Sequence, residues 1–282
     1  MLNGTFVHYP GIDRELEGQL WASGVLTHEQ LMNSEWAEKR NGNKGLILET
    51  QEALAKNDHD FFANRLPVNE QYRLAAACPK ETIFLDIETT GLRLACDKVT
   101  IIGWSLGGVY DVVVCGRDDP APLFQALSKA KALVTFNGKS FDLKFVSLLY
   151  PQAPIPKAHA DLRYVCRDVG LTGGQKIIET TTGLRRDQGL GDGAEAVRLW
   201  FVYRSARKIH IRQKALQDLI VYNHADVEGM KHIFDVALER LFERNRLPPR
   251  FKPDKIFSSL MSNPFAGRED FPFSLDTISW DR

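Results

Sequence analysis

Thr82-Ile83-Phe84-Leu85-Asp86-Ile87-Glu88-Thr89-Thr90-Gly91-Leu92 is the stretch on which the reading of the fold turns. Its first half is an apolar, strand-forming run. Successive side chains on a strand point to opposite faces, so Asp86 and Glu88 share one face. Two carboxylates at that spacing repel each other unless a cation lies between them, and hard divalent cations such as Mg²⁺ take such oxygen ligands. A solvated strand end carrying two surface acids fits the tripeptide equally well. Two further acidic motifs downstream give the first reading its weight.

The second motif is Asn137-Gly138-Lys139-Ser140-Phe141-Asp142, after the strand-like run Ala132 to Phe136. Leu143, Phe145, Val146 and Leu149 then recur at helical spacing, with Ser140 as the expected N-cap. Asp142 falls in the first turn, where the helix dipole favours a carboxylate whatever its function. The third motif is Tyr222-Asn223-His224-Ala225-Asp226, inside a long helical pattern. Tyr222 and Asp226 are four apart and share a helix face, whereas His224 points away from it.

In order, D-x-E, N-x(3)-F-D and Y-x(3)-D resemble the signature of the DEDD exonucleases of the ribonuclease-H-like superfamily. The tyrosine is similar to that of the DEDDy branch, since the histidine branch needs His five residues before Asp226, where Val221 stands. The longer match, Leu85 to Leu92 with the upstream Thr5-Phe6-Val7-His8-Tyr9-Pro10-Gly11-Ile12 and Glu17-Gly18-Gln19-Leu20-Trp21, resembles the YprB-like group and covers roughly residues 5 to 235. The resemblance implies a metal-dependent 3′-to-5′ exonuclease. Asp86, Glu88, Asp142 and Asp226 then hold two Mg²⁺ or Mn²⁺ ions, and Tyr222 orients the attacking water. It also implies DNA as substrate, at single-stranded or frayed 3′ ends, with repair or processing as the setting and a helicase as partner. RNA trimming is the enzymatic rival; a non-catalytic nucleic-acid-binding scaffold is the other.

At 282 residues the chain is long enough for one or two domains, and 44% hydrophobic with 26% charged residues is ordinary for a globular protein. Lys plus Arg and Asp plus Glu both number 36, so any nucleic-acid affinity has to come from local patches. Candidates are Asn137, Lys139, Lys176, Arg185 and Arg186. For the lysines a solvated surface role fits as well, and for Asn137 a turn role. Cys78, Cys96, Cys115 and Cys166 have no C-x-x-C spacing and read as small buried residues in a reducing compartment. No apolar run approaches membrane-spanning length, so a cytoplasmic protein is expected.

Three regions are expected: a small helical N-terminal region over 1–80, a ribonuclease-H-like domain over 81–246, and a mostly irregular tail over 247–282 packed on the body. The first opens with a helix from about Asp13 to Ser23, stopped by Gly24, and a capping-box spacing at Thr27 and Gln30. These two helices suit an ordinary corner better than half of a helix-hairpin-helix. The middle region is α/β. Thr82 to Thr89 is a strand, Gly107-Gly108 joins two more as a hairpin, and a helix follows Pro120. Strands follow at Ala132 to Phe136 and near Asp161; periodicity alone fits several α/β sheets, and the resemblance implies a ribonuclease-H-like mixed five-stranded sheet flanked by helices. Helices then start at Gly173, near Ala194 and near Arg212, the second after the glycine-rich loop from Arg185 to Gly193. The proline-rich tail begins after Leu247.

Overall fold

The alternation beginning at Ile83 resolves into β1 (Thr82–Thr89), a strand buried on both faces at the centre of the sheet. Ile83, Leu85 and Ile87 enter one apolar cluster, and Phe84 enters another on the opposite face. Asp86 and Glu88 therefore lie on the Phe84 face. The computed structural model describes residues 1–38, 44–186, 193–244 and 255–260.

Among the described residues, α1 (Arg14–Ala22), α2 (His28–Met32), α3 (Glu35–Glu38), α4 (Lys44–Ala55), α5 (His59–Arg65) and α6 (Tyr72–Ala77) precede β1. After it come β2 (Val99–Leu106), β3 (Val109–Val114), α7 (Ala121–Lys129), β4 (Ala132–Thr135), α8 (Asp142–Leu149) and β5 (Ala158–Asp161). Then follow α9 (Leu162–Asp168), α10 (Gln175–Thr181), α11 (Gly193–Ser205) and α12 (Ile209–Arg244). The sheet order is β3-β2-β1-β4-β5, antiparallel from β3 to β1 and parallel from β1 to β5. This is the expected mixed five-stranded sheet. Gly107 and Gly108 both take positive φ at the β2–β3 turn, as the two-residue hairpin requires.

Helices α7 and α8 cover the Ile83 face, with Leu123, Leu127, Phe145 and Val146 in its core. The Phe84 face packs against α12. The parallel pairing of β1 with β4 ends at Phe84↔Val134. Beyond that point β1 runs on without a neighbour on that side, which opens a notch at its carboxyl end. Ligand sites in open α/β sheets form in such places.

The residues before β1 divide between two cores. Val7, Phe62, Leu66, Tyr72 and Leu74 join the cluster of the Phe84 face, while Phe6, Tyr9, Leu20, Trp21 and Ile47 form a smaller one. A buried ion network ties the two halves together. Arg73 donates to both oxygens of Glu17 (2.9 and 2.7 Å) and to Glu70 (2.7 Å). Arg14 bridges Glu70 to Asp168 at the end of α9, and Arg244 at the end of α12 reaches the same Asp168.

Several local expectations shift. Asp13 caps α1, and Thr27 caps α2, but Gln30 returns its bond to Leu26 N rather than to the cap residue. Ser140 does not cap α8; Phe141 stands there, and no side chain closes that end. The chain turns helical after Asp161 as its composition suggests, and Asp161 caps α9. Cys78 and Cys166 are buried, but Cys96 is exposed, because it sits on the loop between β1 and β2. Residues 187–192 of the glycine-rich loop and the prolines of the tail lie outside the described residues. Of the tail, Ser258–Leu260 form a short 3-10 helix, and Phe257 packs in the core. Among the described residues no helix is long and apolar enough to cross a membrane.

Candidate active site

Asp86 and Glu88 project from β1 toward α12, and Asp226 comes down from that helix. Carboxylate oxygens of the three lie within 4.8 Å of one another. Asp142 arrives from the other side. It is the first residue of α8, and its Oδ1 accepts the backbone N–H of Ile87 at 3.2 Å. That bond lies in the stretch of β1 beyond its pairing with β4, and it replaces the expected role of Ser140: the end of α8 is aimed by Asp142 at the strand.

The cluster is poor in counter-charge. Burial raises Asp86 well above the ordinary carboxylate value, and Glu88, Asp226 and Asp142 raise it further. Glu88 is raised likewise, by burial and then by Asp226. Burial lifts Asp142 to about 7, against hydrogen bonds from backbone amides. Asp226 is raised by burial, opposed by Arg186 and Lys176. Glu88 Oε1 is buried and accepts no hydrogen bond among the described residues. Crowded hard oxygen donors, one of them unsatisfied, fit a divalent cation on donor chemistry.

Tyr222 lies one turn before Asp226 and is buried. Burial, then the charges of Asp226, Glu88 and Asp86, push its hydroxyl pKa upward, so the phenol stays protonated. Lys176 Nζ donates to that hydroxyl oxygen at 2.6 Å and lies 4.3 Å from the ring centroid. Arg186 is also turned inward, bound to Glu179 (2.5 and 2.7 Å) and to Asp226 (2.5 Å). Glu179 reaches this position because α12 has Gly229 there; a Cβ would stand 2.0 Å from Glu179 Oε1. Lys176 and Arg186 thus serve the acids and the tyrosine, while Lys139 and Arg185 are exposed. Asn137 takes a left-handed φ of 65°, and Asp161 accepts its N–H (2.8 Å) and that of Lys139 (3.0 Å).

Asn223 is absent from the sequence-derived candidates. Fully buried, it donates to Asp86 Oδ2 at 2.8 Å and accepts from Tyr110 Oη at 2.9 Å. It fits only because Gly103 pairs with Asp86 on β2; a Cβ there would lie 1.7 Å from Asn223 Oδ1. A glycine inside the apolar run Ile101-Ile102-Gly103-Trp104 is the sequence signal for such an approach. His224 points away, edge-on to Tyr110 with centroids 4.8 Å apart.

A family model described as RNase H superfamily matches residues 83–238, more than half of the chain, from β1 into α12. The chain belongs to the RNase H superfamily. All four acids and Tyr222 fall inside the RNase H match, and α1 to α6 precede it. A crystal structure of the EXO domain of Nibbler from Aedes aegypti is similar at a TM-score of 0.37 and 13% identity, covering 67% of this chain and 91% of that one. Comparison with curated proteins gives no match.

Proposed function

We propose that this RNase H superfamily member is a metal-dependent 3′-to-5′ exonuclease of the DEDDy type, similar to the YprB-like group. On this reading it hydrolyses phosphodiester bonds of DNA at single-stranded or frayed 3′ ends, in repair or processing, with a helicase partner in the cytoplasm. The observation that carries the reading is the convergence of Asp86, Glu88 and Asp226 within 4.8 Å, with Asp142 bound to the same strand. Those four carboxylates would hold two Mg²⁺ or Mn²⁺ ions. Such a pair supplies an activated water, a neutralised phosphate and a stabilised leaving oxygen.

The chain's own groups divide the remaining work. Tyr222, one turn before Asp226, positions the attacking water. Its oxygen already accepts from Lys176, which leaves the O–H to donate. Asn223 fixes the rotamer of Asp86. Arg186 holds Asp226 toward the cluster. Asn137, Lys139 and Arg185 stand for contacts to the nucleotide and its phosphates.

The test uses purified protein with end-labelled single- and double-stranded DNA and RNA, in Mg²⁺, Mn²⁺ or chelator. Mononucleotides should leave a free 3′ end, and chelator should stop them. Tyr222→Phe should lower kcat while KM changes little. Equal cleavage with chelator sinks the metal mechanism, equal cleavage of circular DNA means an endonuclease, and a strong preference for RNA moves the enzyme to RNA trimming.

A further inference from the structure

Two cavities flank α9, one side chain is common to both, and neither is lined by the four acids themselves. The first, of about 690 Å³, is lined by Asn137, Arg163, Arg167 and the segment from Leu171 to Gln175. Two of its lining residues connect it to the elements that carry the acids. Asn137 lies five residues before Asp142, and Gln175 Nε2 donates to the backbone carbonyl of Asp226 at 2.6 Å. The second, of about 700 Å³, continues past Arg167 to Lys139 and Tyr164. Arg163, Tyr164 and Arg167 all belong to α9, and all three are exposed.

The chemistry of these walls is uneven in a useful way. Among the described residues no carboxylate pairs with Lys139, Arg163 or Arg167, and Arg163 donates instead to the neutral Asn137 Oδ1 at 2.8 Å. The two acids nearby are already engaged. Asp161 accepts the N–H groups of Asn137, Lys139 and Arg163, and Asp168 is held by Arg14 and Arg244. Tyr164 keeps 41% of its surface exposed, with the Arg167 guanidinium 5.2 Å from the ring centroid. A lone exposed aromatic residue is unremarkable. An exposed ring beside cations that no carboxylate neutralises, along cavities next to the elements that carry the acid cluster, has the make-up of a single-strand track.

We infer that the outer face of α9 is a binding track for single-stranded nucleic acid upstream of the scissile end. Arg163 and Arg167 take phosphates in the first cavity, and Tyr164 stacks a base in the second. The inference rests on the exonuclease reading for the position of the scissile end. It adds the length of strand the enzyme grips and names the three side chains that grip it.

The experiment measures fluorescence polarisation of labelled single-stranded oligonucleotides, a trinucleotide and a dodecamer, as DNA and as RNA. It uses the full chain carrying Asp86→Asn in Mg²⁺. The dodecamer should bind more tightly than the trinucleotide. Tyr164→Ala and Arg167→Ala should each weaken the dodecamer by about fivefold or more, and the trinucleotide much less. Arg167→Ala should also make the salt dependence shallower by about 0.7 in log K against log salt, a change that Tyr164→Ala should not produce. Arg198→Ala, on the distant α11, is the control and should alter neither length.

Equal affinity for both lengths, or a length advantage that survives both α9 variants, overturns the track; α9 would then be free to face a protein. Cleavage is scored separately with the unmodified chain. Binding that follows α9 without any cleavage removes the exonuclease and keeps the track. Cleavage with an α9-independent length advantage does the reverse.

Discussion

Glu17 and Glu70 in the N-terminal helices are as deeply buried as Glu88 and Asp142 at the sheet, but the two regions treat their charge differently. In the first, Glu17, Glu70 and Asp168 meet Arg14, Arg73 and Arg244, and the hydrogen bonds close on themselves. In the second, among the described residues, the ion-paired guanidinium is that of Arg186, held by Asp226, and Glu88 keeps an unsatisfied oxygen. Both clusters cost desolvation. The first returns part of that cost within the chain, since burial still raises Glu17 above its ordinary value against the pull of Arg73; the second has fewer cations to return it. The comparison teaches that burial of acids does not mark a site; burial without matching cations does.

The largest effect should come from breaking the balanced cluster. Arg73→Ala leaves Glu17 and Glu70 buried without their shared partner and should cost about 3–5 kcal/mol in urea unfolding. A loss below about 1 kcal/mol would mean that water already reaches those carboxylates.

Asp86→Asn sharpens the contrast, because the same kind of charge removal should have the opposite sign there. Cleavage should fall by roughly a hundredfold or more, while the metal-free protein unfolds at an unchanged or higher temperature. A clear drop in the melting temperature would show that Asp86 is compensated after all.

The smallest effect is a linkage. Asp142 titrates at about 7 in the folded chain against an ordinary 3.8, so the folded state keeps a proton that the unfolded chain has lost. The stability it contributes is complete below about pH 4 and is lost as pH rises through about 7. Without metal, the melting temperature should therefore fall by a few degrees between about pH 5 and pH 8. Added Mg²⁺ should restore more at the upper end, since binding displaces protons. Scanning fluorimetry with chelator and with Mg²⁺ reads this directly, and Asp142→Asn should flatten the metal-free profile.

How far these regions were legible in the sequence follows from the range of the forces involved. Strand alternation placed Asp86 and Glu88 on one face, helical spacing placed Tyr222 over Asp226, and Gly107-Gly108 marked the hairpin, all from neighbours within a few residues. Asn223 was passed over because its partners, Asp86, Tyr110 and the gap at Gly103, lie on three other parts of the chain. Ser140 has the right chemistry for a cap, but the chain turns at Phe141 so that Asp142 meets Ile87 instead. Arg186 reads from the sequence as a nucleic-acid contact in a glycine-rich loop. Its pairing with Glu179 and Asp226 depends on the packing of α10 on α12, which no local pattern encodes.

Phe257 stacks on Phe234 of α12, with centroids 4.8 Å apart, and meets Phe84 edge-on at 5.3 Å. Phe84 stands two residues before Asp86, on the same face of β1. Asp235 accepts the backbone N–H groups of Phe257 and Ser258, and Lys231 donates to the carbonyl of Leu260, so the segment is fastened as well as packed. Residues 255–260 therefore close from behind the sheet face that carries the acids. A chain cut before residue 255 should keep every acid and lose the floor beneath them, so the site depends on a phenylalanine that never touches it.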